Sequence, residues 1–324
     1  MQTESPFRNF TGTHEIPRIG MLLDDFNVDR WFMDIHYFTE TIKSLGGQVM
    51  IKVAYSDAEK QNSQAQELIN LGVKVLVVVA VDNNSNAAIV NAAQTAGVKT
   101  ILYDRMIYNC RPDFFITYNP IVIGKLQAQY ALRIKPKGVY ILISGPESDS
   151  NSRQLREGQM EVLQPYISRG DIKILHEKQT NDWSELEAFY FIEHILENGE
   201  DIDAVIAAND ALALGAIMAL EQYDLDGKVV VTGQDAELEA CRQLLAERQT
   251  MTVYKSIKKQ ATIAAETAMK FINKENVHFD IRTPNGKHQI PSIFLQPVVV
   301  DAYNLKETVI EDKHISEKDL YDIE

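Results

Sequence analysis

Seven short segments concentrate planar and charged side chains: residues 24–31 (DDFNVDRW), 103–105 (YDR), 144–151 (SGPESDSN), 181–183 (NDW), 209–210 (ND), 233–235 (GQD) and 254–255 (YK). Nearly every one follows a short apolar run, and open parallel sheets bind their ligands beyond the carboxyl ends of the strands. Asp, Asn, Arg and Lys are the side chains that make paired hydrogen bonds to vicinal hydroxyls. Both tryptophans of the chain, Trp31 and Trp183, fall in these segments. Aromatic faces with a rim of carboxylates, amides and cations describe a carbohydrate cleft, because a sugar offers weakly polar C–H faces and an equator of hydroxyls. Each residue alone has a plainer reading. Asp182 and Asp210 suit helix caps, Trp31 lies on the apolar stripe of its helix, Asp104-Arg105 suits a surface ion pair, and Lys255 suits a solvated helix start. The shared chemistry of seven strand ends outweighs those separate readings.

The elements that must position these residues show in the hydrophobic rhythm. Apolar runs at 17–23, 48–54, 74–80, 98–102 and 114–117 read as strands, with helices over 29–45, 58–71 and 85–96. In the first helix Trp31, Ile35, Phe38, Ile42 and Leu45 recur at steps of three and four, and Gly46-Gly47 supplies the stop. The rhythm restarts at Pro120. Strands at 138–143, 172–175, 204–207, 228–231 and 251–253 alternate with helices over 120–132, 152–163, 184–196, 211–223 and 237–246. Nearly continuous apolar strands separated by helices mean parallel βαβ units covered on both faces. The fold class is therefore α/β, with two similar doubly wound parallel-sheet lobes. A helix over 257–273, a turn at 283–286 (TPNG) and a strand over 292–300 are too little for a third lobe. They are expected to return to both lobes and form a hinge of several crossovers, with the charged tail 301–324 packed at the periphery.

Composition narrows the function. The chain has 324 residues, enough for two domains at about 150 residues each. Its 32 basic against 46 acidic residues, a net charge of −14, argue against binding a phosphate backbone. About 16 residues precede the first strand, too few for a helix-turn-helix. The two cysteines, Cys110 and Cys241, match no metal or redox spacing, and their pairing stays open. The longest apolar run, 75–81, is too short to span a bilayer, so no transmembrane segment is expected. The opening MQTESPFRNF has neither the basic nor the apolar region of a signal peptide. That leaves the cytosol, or an exported protein whose leader is absent from this chain. Phosphate-binding glycine motifs and the G-x-S-x-G elbow are missing, and the seven histidines form no H-x-x-H or H-E-x-x-H pair. No catalytic residue, metal or cofactor is expected, and the chain does not read as an enzyme.

The segments IGMLLDDFNVDRW, LYDRMI, REGQM, AANDALALGA, TGQDAEL and QTMTVYKSI, in this order and spacing, resemble the type I periplasmic sugar-binding proteins, the D-xylose-binding branch above all. The likeness runs from about Ile16 into the tail, where KETVIEDKHISE also resembles that branch. AANDALALGA by itself is shared with repressors of the lactose-repressor family. The resemblance implies a periplasmic binding protein type I fold with three crossovers. Its N-terminal lobe would take 1–117 plus 256–289 and its C-terminal lobe 118–255 plus 290–324, with the ligand cleft between them. It implies that Arg30, Asp104, Arg105, Asp149, Asn151, Asn209, Asp235 and Lys255 hydrogen-bond the sugar, while Trp31 and Trp183 stack on its faces. The loop after Gly145 reads DSNSR where relatives read DNNAK, which keeps Asp149 and Asn151 and leaves Arg153 and Arg156 unassigned. The implied function is an extracytoplasmic monosaccharide-binding protein for D-xylose or a related pentose, closing on the sugar and presenting it to an ABC-type transporter. The alternative output is a sensing module read by a membrane histidine kinase or chemoreceptor. A lipid anchor is compatible with either.

Overall fold

The computed structural model describes residues 16–26 and 30–321. The first lobe begins with β1 (Arg18–Leu23), α1 (Arg30–Ser44), β2 (Gln48–Val53), α2 (Ala58–Asn70), β3 (Val75–Val78), α3 (Ala87–Thr95), β4 (Lys99–Tyr103) and β5 (Phe114–Tyr118). The second lobe follows with α4 (Pro120–Ile134), β6 (Gly138–Ser144), α5 (Ser150–Ser168), β7 (Ile172–Gln179), α6 (Glu185–Glu197), β8 (Ala204–Ala207), α7 (Asp210–Glu221), β9 (Val230–Thr232), α8 (Leu238–Leu245) and β10 (Thr252–Tyr254). The chain then returns through α9 (Ile257–Asn273), β11 (Ile281–Pro284), β12 (Gln289–Leu295), β13 (Val298–Val300), a π-helical turn at Lys306–Ile310 and α10 (Glu317–Tyr321).

Two sheets result. The first has the order β11-β12-β5-β4-β3-β1-β2 and is parallel except for β11, which pairs antiparallel with β12. The second has the order β7-β6-β8-β9, all parallel. A bridge between Thr232 and Met251 and the antiparallel pair β10-β13 extend it. Strands β3, β4, β5 and β8 are buried along almost their whole length, as strands covered by helices on both faces must be. Helix starts are written locally. Asn119 accepts from the amides of Ile121 and Val122 with Pro120 at the first turn of α4, and Ser256 accepts from Lys259 at the start of α9.

The chain crosses between the lobes at three places: between β5 and α4, between β10 and α9, and between β12 and β13. The Tyr118 hydroxyl donates to the Ser256 carbonyl at 3.1 Å and ties the first two crossings together. The third crossing departs from expectation. The boundary at 289/290 falls at the start of β12, whose residues Ser292 to Leu295 pair with β5 in the first sheet. The strand expected over 292–300 is two strands in two sheets, parted at Gln296-Pro297, where proline offers no ladder donor. The tail is also less peripheral than its charge suggested. Leu305, Val309, Ile315 and Leu320 are buried in a cluster with Ala236, Cys241, Leu244, Tyr254 and Val300. Cys110 and Cys241 are free, buried thiols in different core clusters.

Candidate ligand-binding site

The site lies where the carboxyl ends of the two sheets face each other. On the first lobe, Arg30 opens α1 and is anchored from several sides. Its guanidinium donates to Asp34 Oδ2 at 3.2 Å, Asp104 Oδ1 at 3.2 Å and Gln260 Oε1 at 3.1 Å. Burial alone would lower its pKa, but the carboxylates of Asp34, Asp104 and Asp235 reverse this and hold the guanidinium charged. Asp34 is in turn bonded to the buried Tyr103 hydroxyl. Asp104 follows β4 with φ +67°, in the left-handed region. Its amide is held by the Ile116 carbonyl at 2.9 Å, which fixes that unfavourable turn. Burial pushes its carboxyl up, yet Lys255, Arg30 and Arg105 together hold it at about 2. Arg105 donates to Asp24 Oδ2 at 2.5 Å and to the Ala80 carbonyl at 3.0 Å.

The second lobe presents the complementary groups. Asp149 caps α5 by accepting from the Asn151 amide at 2.8 Å, and its other oxygen lies 2.8 Å from Arg105 Nε across the cleft. Burial raises its pKa, and Arg105 only partly offsets this. Asn151 Nδ2 crosses to Asp104 Oδ2 at 3.0 Å. Asn209 caps α7 through the Leu212 amide at 3.0 Å. Asp235 has φ +104°, followed by Ala236 at +55°. Its Oδ1 lies 2.9 Å from Lys255 Nζ and 3.6 Å from Arg30. The sharp turn at Asp235 is braced from behind. Asp210, 0% exposed, accepts from the Glu237 amide at 3.0 Å, from Thr252 Oγ1 at 2.8 Å and from Gln249 Nε2 at 2.9 Å. Asp210 is thus no helix cap; Asn209 takes that role, and Asp210 ties α7 to the 233–237 loop. From the tail, the His314 ring bonds the Ala236 carbonyl at 3.0 Å.

These residues enclose one small cavity of about 30 Å³. All ten residues named from the sequence line it: Arg30, Trp31, Asp104, Arg105, Asp149, Asn151, Trp183, Asn209, Asp235 and Lys255. Gln234 joins them. It sits in one of the seven strand-end segments, and its place beside Asp235 was the signal available for it. Asn27, Val28 and Asp29 of the first segment lie outside the described residues. Trp31 is 2% exposed and belongs to the first-lobe core as well as to the cavity wall. The Arg30 guanidinium lies 4.7 Å from its ring centre. Trp183 is half-buried and packs against core clusters of both lobes, so it spans the cleft. Arg153 and Arg156 fall outside the cavity: Arg153 bonds the Tyr108 hydroxyl at 3.0 Å and Arg156 makes a two-pronged pair with Glu177. Cations, carboxylates and amides that alternate around a space flanked by two indoles can hold a small polyhydroxylated ring. Among the described residues no cluster of His, Cys, Asp and Glu is arranged to hold a metal. No helix among them is long and apolar enough to cross a membrane.

Comparison with known proteins gives a consistent picture. The profile of the periplasmic binding protein domain matches residues 19–276. The chain is 39% identical to the D-xylose-binding periplasmic protein of Escherichia coli K12 over 304 residues, covering 94% of this chain and 92% of the relative. It is 36% identical to the D-xylose-binding periplasmic protein of Haemophilus influenzae, with the same coverage of both chains. Among solved structures, a carbohydrate transporter solute-binding protein from Chloroflexus aurantiacus in complex with D-glucose superposes with a TM-score of 0.86 at 28% identity, covering 94% of this chain and 98% of that one.

Proposed function

The chain belongs to the periplasmic binding protein family, type I, whose members are solute receptors rather than enzymes, and on that premise we propose that it is an extracytoplasmic receptor for D-xylose or a related pentose that hands the sugar to an ABC-type transporter. The observation that carries this reading is the convergence of nine hydrogen-bonding side chains and two indoles, from both lobes, on one cavity. The relatives named for D-xylose support the choice of a pentose.

Mechanism follows from the ion pairs. The two lobes, the first built on β1 to β5 with α9 to β12 and the second on α4 to β10 with β13 and α10, act as bodies that hinge at the three crossings. Asp104–Arg30 and Asp235–Lys255 stand in direct contact at the centre, and the space of about 30 Å³ holds roughly two waters. Sugar hydroxyls take over these partners, each bridging a carboxylate and a cation in place of the direct pair. Groups from both lobes then contact one ligand, so the ligand favours the closed arrangement by its differential affinity for it.

Titration calorimetry with D-xylose, L-arabinose, D-ribose, D-glucose and D-galactose tests this. D-xylose or another pentose should bind at least tenfold more tightly than either hexose. Glucose binding as tightly as the best pentose refutes the pentose reading, and no binding of any of the five refutes the receptor reading.

A further inference from the structure

Gly145, the residue after β6, is not a glycine for backbone reasons. Its φ lies outside the left-handed region, so an L-residue could adopt its conformation. What its missing side chain leaves is room. A Cβ built there would stand 2.4 Å from Cη2 of Trp183 and 2.5 Å from both Cζ2 and Cζ3. Three corners of one six-membered ring at nearly equal distance place that point over the ring face. An edge-on approach to Cη2 would leave Cζ2 and Cζ3 markedly farther away. The backbone at Gly145 is therefore a floor on which one face of the Trp183 ring lies flat.

The ring has few places to go. It packs against both lobes' cores, and on its cleft side lies the cavity of about 30 Å³. Outside it lies a groove of about 340 Å³ bordered by Asp182, Ser184, Leu186 and Ala211. A methyl at position 145 forces the ring back by roughly an ångström to reach the ~3.5 Å of carbon–carbon contact. Inward movement fills the cavity, and outward movement withdraws the indole from it.

We propose that Gly145 is a positioning residue that sets the depth of the Trp183 indole in the cleft and thereby the thickness of the ring the cleft accepts. The consequence for sugar rests on the receptor reading above; the control of indole position does not.

The test uses Gly145→Ala in two settings. In a Trp31→Phe background Trp183 is the sole tryptophan, and Gly145→Ala should shift its emission maximum and its quenching by acrylamide without any sugar present. In calorimetry, Gly145→Ala should weaken pentose binding at least tenfold in the parent and less than twofold when added to Trp183→Ala, where no ring remains to be displaced. Unmoved emission and quenching overturn the proposal, as does an equal loss of affinity in both backgrounds. Should Gly145→Ala fail to fold in the parent yet fold in Trp183→Ala, the ring is again identified as what the methyl meets. Equal misfolding in both overturns it. A parent that binds none of the sugars defeats the receptor reading alone, because the emission measurement stands apart from it.

Discussion

Asp210→Asn should change the pH dependence of stability in one direction only. Asp210 is fully buried; that burial, helped by the nearby Asp235 carboxylate, pushes its carboxyl up to about 7, against the donors Gln249, Thr252 and the Glu237 amide. From an ordinary value near 3.8 the rise is about three units, and at about 1.36 kcal/mol each it is on the order of 4 kcal/mol. Between those pH values the folded chain holds a proton that the unfolded chain has released. Stability is therefore full below about pH 4 and is lost as the pH rises through 7. An amide stays neutral throughout and keeps the geometry: its oxygen accepts from the Glu237 amide and Thr252. Its nitrogen can face Gln249, whose buried Oε1 has no other partner. Other buried groups titrate nearby. His314, lowered by burial, works with the opposite sign, since its contribution is lost as pH falls. Asp34 and Asp149, raised by burial, share the sign of Asp210. All three are common to both proteins and cancel in the difference. Urea unfolding at pH 4 and pH 8 should find the two proteins similar at pH 4 and Asp210→Asn more stable by a few kcal/mol at pH 8. Parallel pH profiles would refute the reasoning.

Asp104→Asn should weaken pentose binding by about tenfold to a hundredfold in calorimetry, since hydrogen bonds to charged groups contribute roughly 1.5–3 kcal/mol. Because Asp104 is held at about 2, its contribution to stability is present above about pH 4 and lost as pH falls toward 2; acid unfolding of the variant should lack that component. Trp31→Phe should lower both the melting temperature and sugar affinity, because Trp31 is core and cavity wall at once, whereas Trp183→Phe should lower affinity with a smaller thermal effect. Gly124→Ala should destabilise by roughly 1–3 kcal/mol in urea unfolding, since its Cβ would meet the Leu155 carbonyl oxygen of α5 at 2.0 Å.

Much of this was legible because the signals are local. Period-two and period-3.6 patterns, glycine stops and Asx caps each act within a few residues, and strand ends in a parallel sheet share one side by topology. That is why seven segments spread from position 24 to position 255 could be grouped together, and the family resemblance then singled out ten residues within them. What escaped depends on partners distant in sequence. Nothing near Asp210 announces Gln249 or Thr252, which turn an apparent cap into a brace. The split at Gln296-Pro297 depends on β5 and β10 drawing neighbouring segments into different sheets. The tail looked solvated because Leu305, Val309, Ile315 and Leu320 are diluted among charges, though they bury together behind the Ala236 turn.

The electrostatics of the cleft explain how one site can be both stable and responsive. Arg105 faces Asp149 at 2.8 Å, Asn151 faces Asp104 at 3.0 Å, and Arg30 faces Asp235 at 3.6 Å, each pair joining one lobe to the other. In the proposed hinge mechanism those attractions favour closure before any ligand contributes. All of these groups except the half-buried Asn151 are also largely stripped of water, and the desolvation of buried ions offsets much of their Coulomb attraction. Desolvation and attraction thus oppose each other, and in the proposed hinge mechanism the ligand's differential affinity for the closed arrangement adds to the attraction. Uncharged hydroxyls suit that task. They donate to the carboxylates and accept from the guanidiniums and Lys255, keep every buried charge partnered, and add none of their own. A charged ligand would leave one ion of the ring without its partner, and an apolar one would leave several.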